Sequence, residues 1–170
     1  LLDSPGTDTV ALNTLIGVLS HGSGTTIDNA AIYFIGADSD VITGYGWDNN
    51  LTLQNGAMHP VRSVVGQADK FAPTVGSFSG VDVFEYYQLS WTAYAVEHNS
   101  SANGGNNNLT LYFDYQPWQG ESYTSGKSFV LMENVDTFRF KAIGSIVKIQ
   151  VCVKTDLVED YSLCKEKTIY

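Results

Sequence analysis

Two runs of alternating apolar and polar residues near the end of the chain constrain its fold more than any other sequence feature. Residues 138–142 place phenylalanine and alanine on one face, with Arg139 and Lys141 on the other. Residues 146–154 repeat this period of two, which is that of a β-strand with one apolar face. Gly144 lies in the turn between them. We therefore expect an antiparallel hairpin with its apolar face inward and its polar face outward.

The only two cysteines of the chain, Cys152 and Cys164, flank one polar segment. The alternation places Cys152 on the outer, wetter face, and residues 156–162 are long enough for the chain to return and bring Cys164 to it. Such a bridge would stabilise the fold by about 3 kcal/mol, chiefly by restricting the unfolded chain. It would also indicate maturation in an oxidising compartment. The alternative is two free buried thiols in a cytoplasmic protein; the position of both cysteines beside one loop favours the bridge.

An amphipathic helix is predicted over residues 9–20. Asp8 or Thr7 can cap its start, and Gly22 can end it. The apolar stripe expected to pack on a sheet consists of Leu12, Leu15, Ile16 and Leu19.

Strand patterns account for most of the remaining order. A polar segment with an Asn-Gly-Gly turn signal follows residue 97 and predicts a hairpin loop. Residues 36–82 are rich in Gly, Asp, Asn and Ser, so we expect loops to dominate there. At 170 residues the chain is expected to form one domain. The predicted strands outside the C-terminal hairpin are 30–35, 86–97, 109–115 and 129–133.

Charge is unevenly distributed in this chain of net charge −9. Residues 1–126 contain 12 acids and two bases, whereas residues 127–170 contain six acids and seven bases. The acidic part repels nucleic acid and anionic lipid, so no direct nucleic-acid partner is expected. No apolar stretch is long enough to span a membrane. The start at Leu1, without methionine, suggests a processed or shortened form.

The sequence contains no catalytic motif, and we expect neither an enzyme nor a cofactor. The histidines, His21, His59 and His98, have no second ligand at metal spacing and are expected to be surface or cap residues. A hydrolase whose carboxylate pair is assembled only by the fold is the least supported reading.

A calcium site is the one metal alternative in the sequence. Asp38 and Asp40 have the spacing that opens a calcium loop, but the closing bidentate acid is absent. A site completed by Asp48 is therefore the alternative to a plain polar loop.

Trp118, Asn50 and Asn99 are the remaining candidate surface positions. Trp118 lies in a predicted loop as the tryptophan expected to be most exposed, either as a partner contact or as a ring that anchors the loop on the core. Asn50 and Asn99 each begin an Asn-x-Ser/Thr sequence with an acid two positions earlier. This form is similar to the acceptor used by some bacteria that glycosylate periplasmic proteins; the alternative is a chance match in asparagine-rich loops.

Residues 135–170, "VDTFRFKAIGSIVKIQVCVKTDLVEDYSLCKEKTIY", resemble the C-terminal end of bacterial prepilin-type proteins. These are minor pseudopilins of type II secretion, type IV pilus or DNA-uptake machinery, particularly in epsilonproteobacteria. Residues 32–50 are similar, more loosely, to the family's Trp-Ile-Gly-x-Asp-x-Asp-Gly segment. Phe34-Ile35-Gly36 and the two acids after it fit this segment, but Val41 stands where a glycine is expected.

The resemblance implies an α+β pilin-like head, in which an N-terminal helix packs on an antiparallel sheet and a disulfide closes the C-terminal loop. Residues 1–22 would be a helix remnant, 23–82 a loop-rich variable region, and 83–170 the sheet and C-terminal loop. Members of the family carry an apolar membrane helix that this sequence lacks, so the chain would be a periplasmic head, anchored in the inner membrane in its full-length form.

The function implied is that of a structural subunit of a secretion, pilus or DNA-uptake filament. Its partners would be other pilin-like subunits and inner-membrane assembly proteins. The alternative is a secreted carbohydrate-binding or adhesin β-domain that uses Trp118 as its platform.

Overall fold

A computed structural model describes residues 1–37, 57–74, 76–100, 103, 105–144, 146–154 and 162–170. These ranges contain one α-helix and eleven strands. They divide into two compact units, unit 1 (Leu1–Tyr94 with Phe113–Lys127) and unit 2 (Ala95–Tyr112 with Ser128–Tyr170). In chain order the elements are β1 (Leu2–Asp3), α1 (Thr9–Leu19), β2 (Ala31–Phe34), β3 (Met58–Val64), β4 (Gln67–Pro73), β5 (Tyr87–Ser90), β6 (Ala95–Asn99), β7 (Asn108–Phe113), β8 (Lys127–Met132), β9 (Val135–Ile143), β10 (Ile146–Lys154) and β11 (Ser162–Ile169).

Unit 1 is built on a five-stranded sheet with the strand order β1-β4-β3-β2-β5. Ile32 of β2 lies opposite His59 of β3 and Leu89 of β5, so these side chains share one face. This face carries the core of the unit, which consists of Ile16, Ile27, Ala30, Ile32, Phe34, Val61 and Phe71.

Helix α1 begins as predicted. The Asp8 carboxylate accepts hydrogen bonds from the backbone N–H groups of Val10 and Ala11, at 3.0 and 3.1 Å. The expected apolar stripe is wrong in part, because Ile16 is buried but Leu15 and Leu19 are exposed.

The predicted α+β pilin-like head, with an N-terminal helix packed on one antiparallel sheet, is wrong. The chain is mainly β, with three antiparallel sheets, and the short strand β1 precedes the helix. The physical reason is the distribution of apolar residues around α1. Val10 and Val18 are exposed as well, so the helix adds little more than Ile16 to the core.

One strand prediction in the middle of the chain is also wrong, and the region expected to be rich in loops contains two strands in its described part. Within the loop-rich region, β3 and β4 form an antiparallel hairpin with a turn at Gly66. The single strand expected over residues 86–97 is two strands, since β5 pairs with β2 and β6 pairs with β7.

Unit 2 contains two three-stranded sheets, β6-β7-β8 and β11-β10-β9. Among its described residues only Leu109, Val135 and Cys152 are buried. Val135 connects the two sheets, because its N–H donates to the Asn107 carbonyl at 2.7 Å and its carbonyl accepts from His98 Nε2 at 2.8 Å. Unit 2 therefore has an extensive hydrogen-bonded framework and a very small core.

The predicted C-terminal hairpin is confirmed as β9 and β10, with the turn at Gly144 in a left-handed conformation. Strand β11, which the sequence pattern did not predict, extends the hairpin to three strands. No α-helix in the described ranges has the length and apolarity needed to cross a bilayer.

Candidate functional site

The sheet formed by β9, β10 and β11, here called the C-terminal sheet, presents two chemically different faces. Directly opposite residues in an antiparallel pair share a face. One face, the cationic face, is built around the cross-strand pair Lys148–Lys141, with Arg139 two residues along β9. The other, the apolar face, carries the pair Ile149–Phe140. The predicted alternation is confirmed, but Phe140 is 69% exposed, so the expectation that this face is buried is wrong there.

The predicted disulfide is confirmed. Cys152 of β10 and Cys164 of β11 lie directly opposite one another and are bonded. Cys152 is only 6% exposed, so its predicted position on a wet outer face is wrong. It lies opposite Thr137, two residues from the fully buried Val135, which makes this end of the sheet the buried one. The bridge fixes the exposed strand β11 to the anchored end of β10.

The cationic face brings together more basic than acidic side chains. Lys148 and Lys141 are directly opposite, an arrangement in which like charges destabilise a sheet. Glu166 approaches Lys148 at 3.9 Å, and within the described ranges neither Arg139 nor Lys141 has an ion-pair partner. An open depression of about 620 Å³ lies at this cluster. Its lining consists of Phe138, Arg139, Phe140, Lys141, Lys148, Ile149, Gln150 and Glu166.

The C-terminal sheet reverses the sign of charge of the chain as a whole. The described residues of its strands include six bases and two acids, Asp136 and Glu166, in a chain of net charge −9. The sheet can therefore attract an acidic surface locally, because exposed charges farther away than about 8 Å are screened at physiological salt.

Exposed apolar side chains dominate unit 2. All six residues of β8 are exposed, and four consecutive ones are large and apolar. Exposed apolar side chains on an edge strand mark interaction sites or aggregation liabilities. The exposed large apolar residues of the unit are Val96, Phe129, Val130, Leu131, Met132, Phe140, Ile143, Leu163, Ile169 and Tyr170.

Unit 1 contains a small pocket on the face of its sheet opposite the core. The pocket has a volume of about 290 Å³. Its lining is uncharged and consists of Tyr33, Met58, Gln88, Ser90, Thr92, Ala93 and Trp118.

Trp118 lies inside this part of unit 1 rather than on its surface. The side chain is 6% exposed, and its indole N–H donates to the Asn29 carbonyl at 2.8 Å. The expected exposure is wrong, and the alternative of a ring that anchors its loop describes the position.

Asp114 is a largely buried carboxylate of unit 1, with a side chain that is 9% exposed and several partners. It accepts from Thr25 Oγ1 at 2.9 Å and pairs with Lys127 at 3.1 Å. Burial acts to raise the pKa of Asp114, but hydrogen bonds from Thr25, Ser23 and Lys127 outweigh it, and the pKa is lowered. The carboxylate thus stays ionised at neutral pH with its oxygens engaged, which suits a structural role better than proton transfer.

His59 is buried, so the expectation of a surface histidine is wrong here. Its ring packs against Phe34 with the centroids 5.4 Å apart. Burial lowers the pKa of His59, because the charged imidazolium is disfavoured away from water.

The remaining candidate residues fall in two groups. Asp38, Asp40, Asp48 and Asn50 lie outside the described residues, so the calcium site and the first glycosylation site remain predictions. Asn99 is exposed at the end of β6, opposite Asn108, and its glycosylation also remains a prediction. Across the ranges that the structure describes, no group of three His, Cys, Asp or Glu side chains is placed to hold a metal ion.

Comparisons with known proteins give no relative: no family model, curated protein or solved structure matches the chain. The resemblance of residues 135–170 to prepilin-type proteins therefore remains a prediction.

Proposed function

We propose that this protein is a non-catalytic assembly subunit that acts outside the cytoplasm through contacts of unit 2 with neighbouring proteins. The observation that carries the proposal is the imbalance of unit 2. Its described part buries three residues and exposes ten large apolar side chains. A unit with so small a core gains stability from a disulfide and from burial against another surface.

The arrangement of edges supports the same function. Strand β8 is an edge strand with every residue exposed, and β11 is an edge strand fixed by the disulfide. Soluble proteins protect apolar edges, because an exposed edge pairs with other chains. A subunit that is covered by its neighbours needs no such protection.

The disulfide supports an extracytoplasmic location, since such bonds form and persist in oxidising compartments. The particular machinery that we propose is a secretion, pilus or DNA-uptake filament. It rests on the prepilin-type resemblance of residues 135–170 alone. The partners would be other filament subunits and inner-membrane assembly proteins.

A photo-crosslinking residue placed at Phe140 tests this function in cells that make the natural full-length protein. Phe140 is on the apolar face, and Val65, fully exposed in unit 1, is the matched control position. We expect discrete adducts with filament subunits from Phe140 and none from Val65. Equal adducts from both positions, or adducts from neither, would contradict the proposal.

A carbohydrate-binding domain is a second candidate, favoured by the uncharged pocket of unit 1. Sugars bind where an aromatic ring meets hydroxyl and amide groups, and Tyr33, Ser90 and Gln88 supply these groups. Gln88→Ala leaves the Trp118 anchor intact and should abolish any signal on a glycan array. A folded wild-type protein that binds no glycan would exclude this candidate.

A further inference from the structure

The chain carries one basic surface and one acidic surface, and each has charged side chains without an ion pair in the described ranges. The cationic face of unit 2 holds Arg139 and Lys141 without ion pairs in the described ranges. Unit 1 exposes an acidic loop, residues 82–86, whose acids Asp82 and Glu85 also have no ion pair there.

The acidic loop is held to unit 1 by the ring of Phe84 and by a backbone hydrogen bond from the Ile35 N–H to the Tyr86 carbonyl at 2.9 Å. Phe84 packs against Phe34, with ring centroids 6.4 Å apart, and lies against Gly36, where an added Cβ would approach its ring at 3.3 Å. This anchor leaves Val83 and Tyr86 exposed beside the two acids. The loop therefore presents acidic and apolar side chains together on a fixed base.

We propose that the cationic face of one copy of this chain binds the acidic loop of a second copy. The two surfaces are complementary in charge, since one presents Arg139, Lys141 and Lys148 and the other presents Asp82 and Glu85. The inference rests on the proposed function in that it treats the chain as a subunit of an assembly.

The spacing of the charges fits such a contact. Asp82 and Glu85 are three residues apart, so their Cα atoms are at most about 10 Å apart. On the cationic face, Lys141 lies directly opposite Lys148. Arg139 is the diagonal neighbour of Lys148 on the adjacent strand, and such neighbours are about 7–8 Å apart. Lysine and arginine side chains are long enough to bridge the difference, so both acids can be engaged at once.

A carboxylate between Lys141 and Lys148 would also relieve their mutual repulsion. Glu166 lies on the same face, so the face suits a partner with a few spaced acids better than the dense negative charge of a nucleic acid or an anionic bilayer. Because the contact joins unit 1 of one copy to a different surface on the next, it is heterologous and can propagate into a ring or an open filament.

Sedimentation velocity of the purified 170-residue chain tests the contact. Raising the salt from about 0.02 M to about 0.3 M shortens the Debye length roughly fourfold. We expect concentration-dependent association at low salt and its loss at high salt. A chain that stays monomeric at low salt up to about 1 mM, where even millimolar affinity would show, overturns the proposal.

Charge reversal identifies the surface. The double variant Lys141→Glu/Lys148→Glu should weaken association by at least about tenfold, because like-charge contacts oppose binding strongly. The matched control is Lys165→Glu/Lys167→Glu, which makes the same change of net charge on the opposite face of the same sheet. It should leave association within about twofold of wild type. An equal loss in the control would overturn the assignment.

Rescue tests the partner surface. Asp82→Lys/Glu85→Lys alone should weaken association as the cationic-face variant does, and combining all four reversals in one chain should restore it. Failure of the combined variant, with its thermal melt and intact disulfide confirming folding, would show that the two surfaces do not meet.

Other occupants give distinct outcomes. If Lys141→Glu/Lys148→Glu abolishes binding to anionic vesicles or to single-stranded DNA while self-association is unchanged, the cationic face contacts those anions and the self-contact is wrong.

The crosslinking result at Phe140 tests the proposed function separately from this contact. Crosslinks from Phe140 without self-association would support the assembly function and reject this contact. If neither crosslinks nor self-association were seen, the assembly function and this contact would both be rejected.

Discussion

The disulfide should account for much of the stability of the C-terminal sheet. Cys152 and Cys164 are separated by 12 positions, and the loop-entropy relation for a loop of this length gives about 3 kcal/mol. Cys152 is also one of only three buried residues in the described part of unit 2. Since whole domains are stable by about 5–15 kcal/mol, a loss of this size is large for a unit with so little core.

Amide hydrogen exchange measures this effect locally. In the variant Cys152→Ala/Cys164→Ala, protection of the β10 and β11 amides should fall by about two orders of magnitude, since each 1.4 kcal/mol is about tenfold. The amides of β2 in unit 1 serve as the internal reference and should keep their protection.

The single variant Cys164→Ala separates the crosslink from the packing of the buried sulfur. It removes the bond but keeps the sulfur of Cys152 in place, so it should reproduce most of the loss. A fall of less than about threefold in β10 and β11, well below the entropic value, would refute the reasoning. So would an equal fall in β2.

Three further predictions concern unit 1, each read by urea unfolding with a fluorescence probe. Burial lowers the pKa of His59, so the unfolded chain takes up the proton first as the pH falls. The free energy of unfolding should therefore fall below about pH 6.5, by up to about 1.4 kcal/mol per pH unit. His59→Phe should remove this pH dependence, and an unchanged pH dependence would reject the assignment to His59. Asp114→Asn should lower the free energy of unfolding by about 1–3 kcal/mol above about pH 4, and this loss should disappear as the pH falls through the lowered pKa of Asp114. Lys127→Ala, which removes the more exposed partner, should cost under about 1 kcal/mol. Trp118→Phe should cost about 1–3 kcal/mol by leaving the Asn29 carbonyl without its donor, and Trp118→Ala about 3–5 kcal/mol because the packed ring is lost as well. No loss of stability in Trp118→Phe would show that the hydrogen bond to Asn29 contributes nothing.

Features fixed by neighbouring residues could be predicted from the sequence. The β9–β10 hairpin follows from strict alternation around Gly144, and the start of α1 follows from the capping carboxylate of Asp8. The bridge between Cys152 and Cys164 follows from there being no other cysteine to pair with.

Features that depend on distant partners could not be predicted. Strand β3 contains Pro60 and the buried His59, so it lacks the alternation that reveals a strand. The break between β5 and β6 leaves the pattern of faces intact, because alternation reports which way side chains point and not which strand is the neighbour.

The candidate site shows the same limit. The outward direction of Arg139 and Lys141 could be predicted from β9 alone. The opposition of Lys141 and Lys148 depends on the register of the hairpin, which the turn sets. The exposure of Phe140 could not be predicted, since an apolar face has the same sequence pattern whether its cover comes from the same chain or from another.

Lysine-selective labelling of the protein in its assembled form and again after dissociation tests most directly whether the C-terminal sheet is the docking surface. Lys141 and Lys148 lie on the cationic face, and Lys70, paired with Asp3 in unit 1, provides the reference. We predict that labelling of Lys141 and Lys148 rises several-fold on dissociation while that of Lys70 does not change. Unchanged labelling of all three would show that the sheet faces solvent in the assembly and would contradict the account.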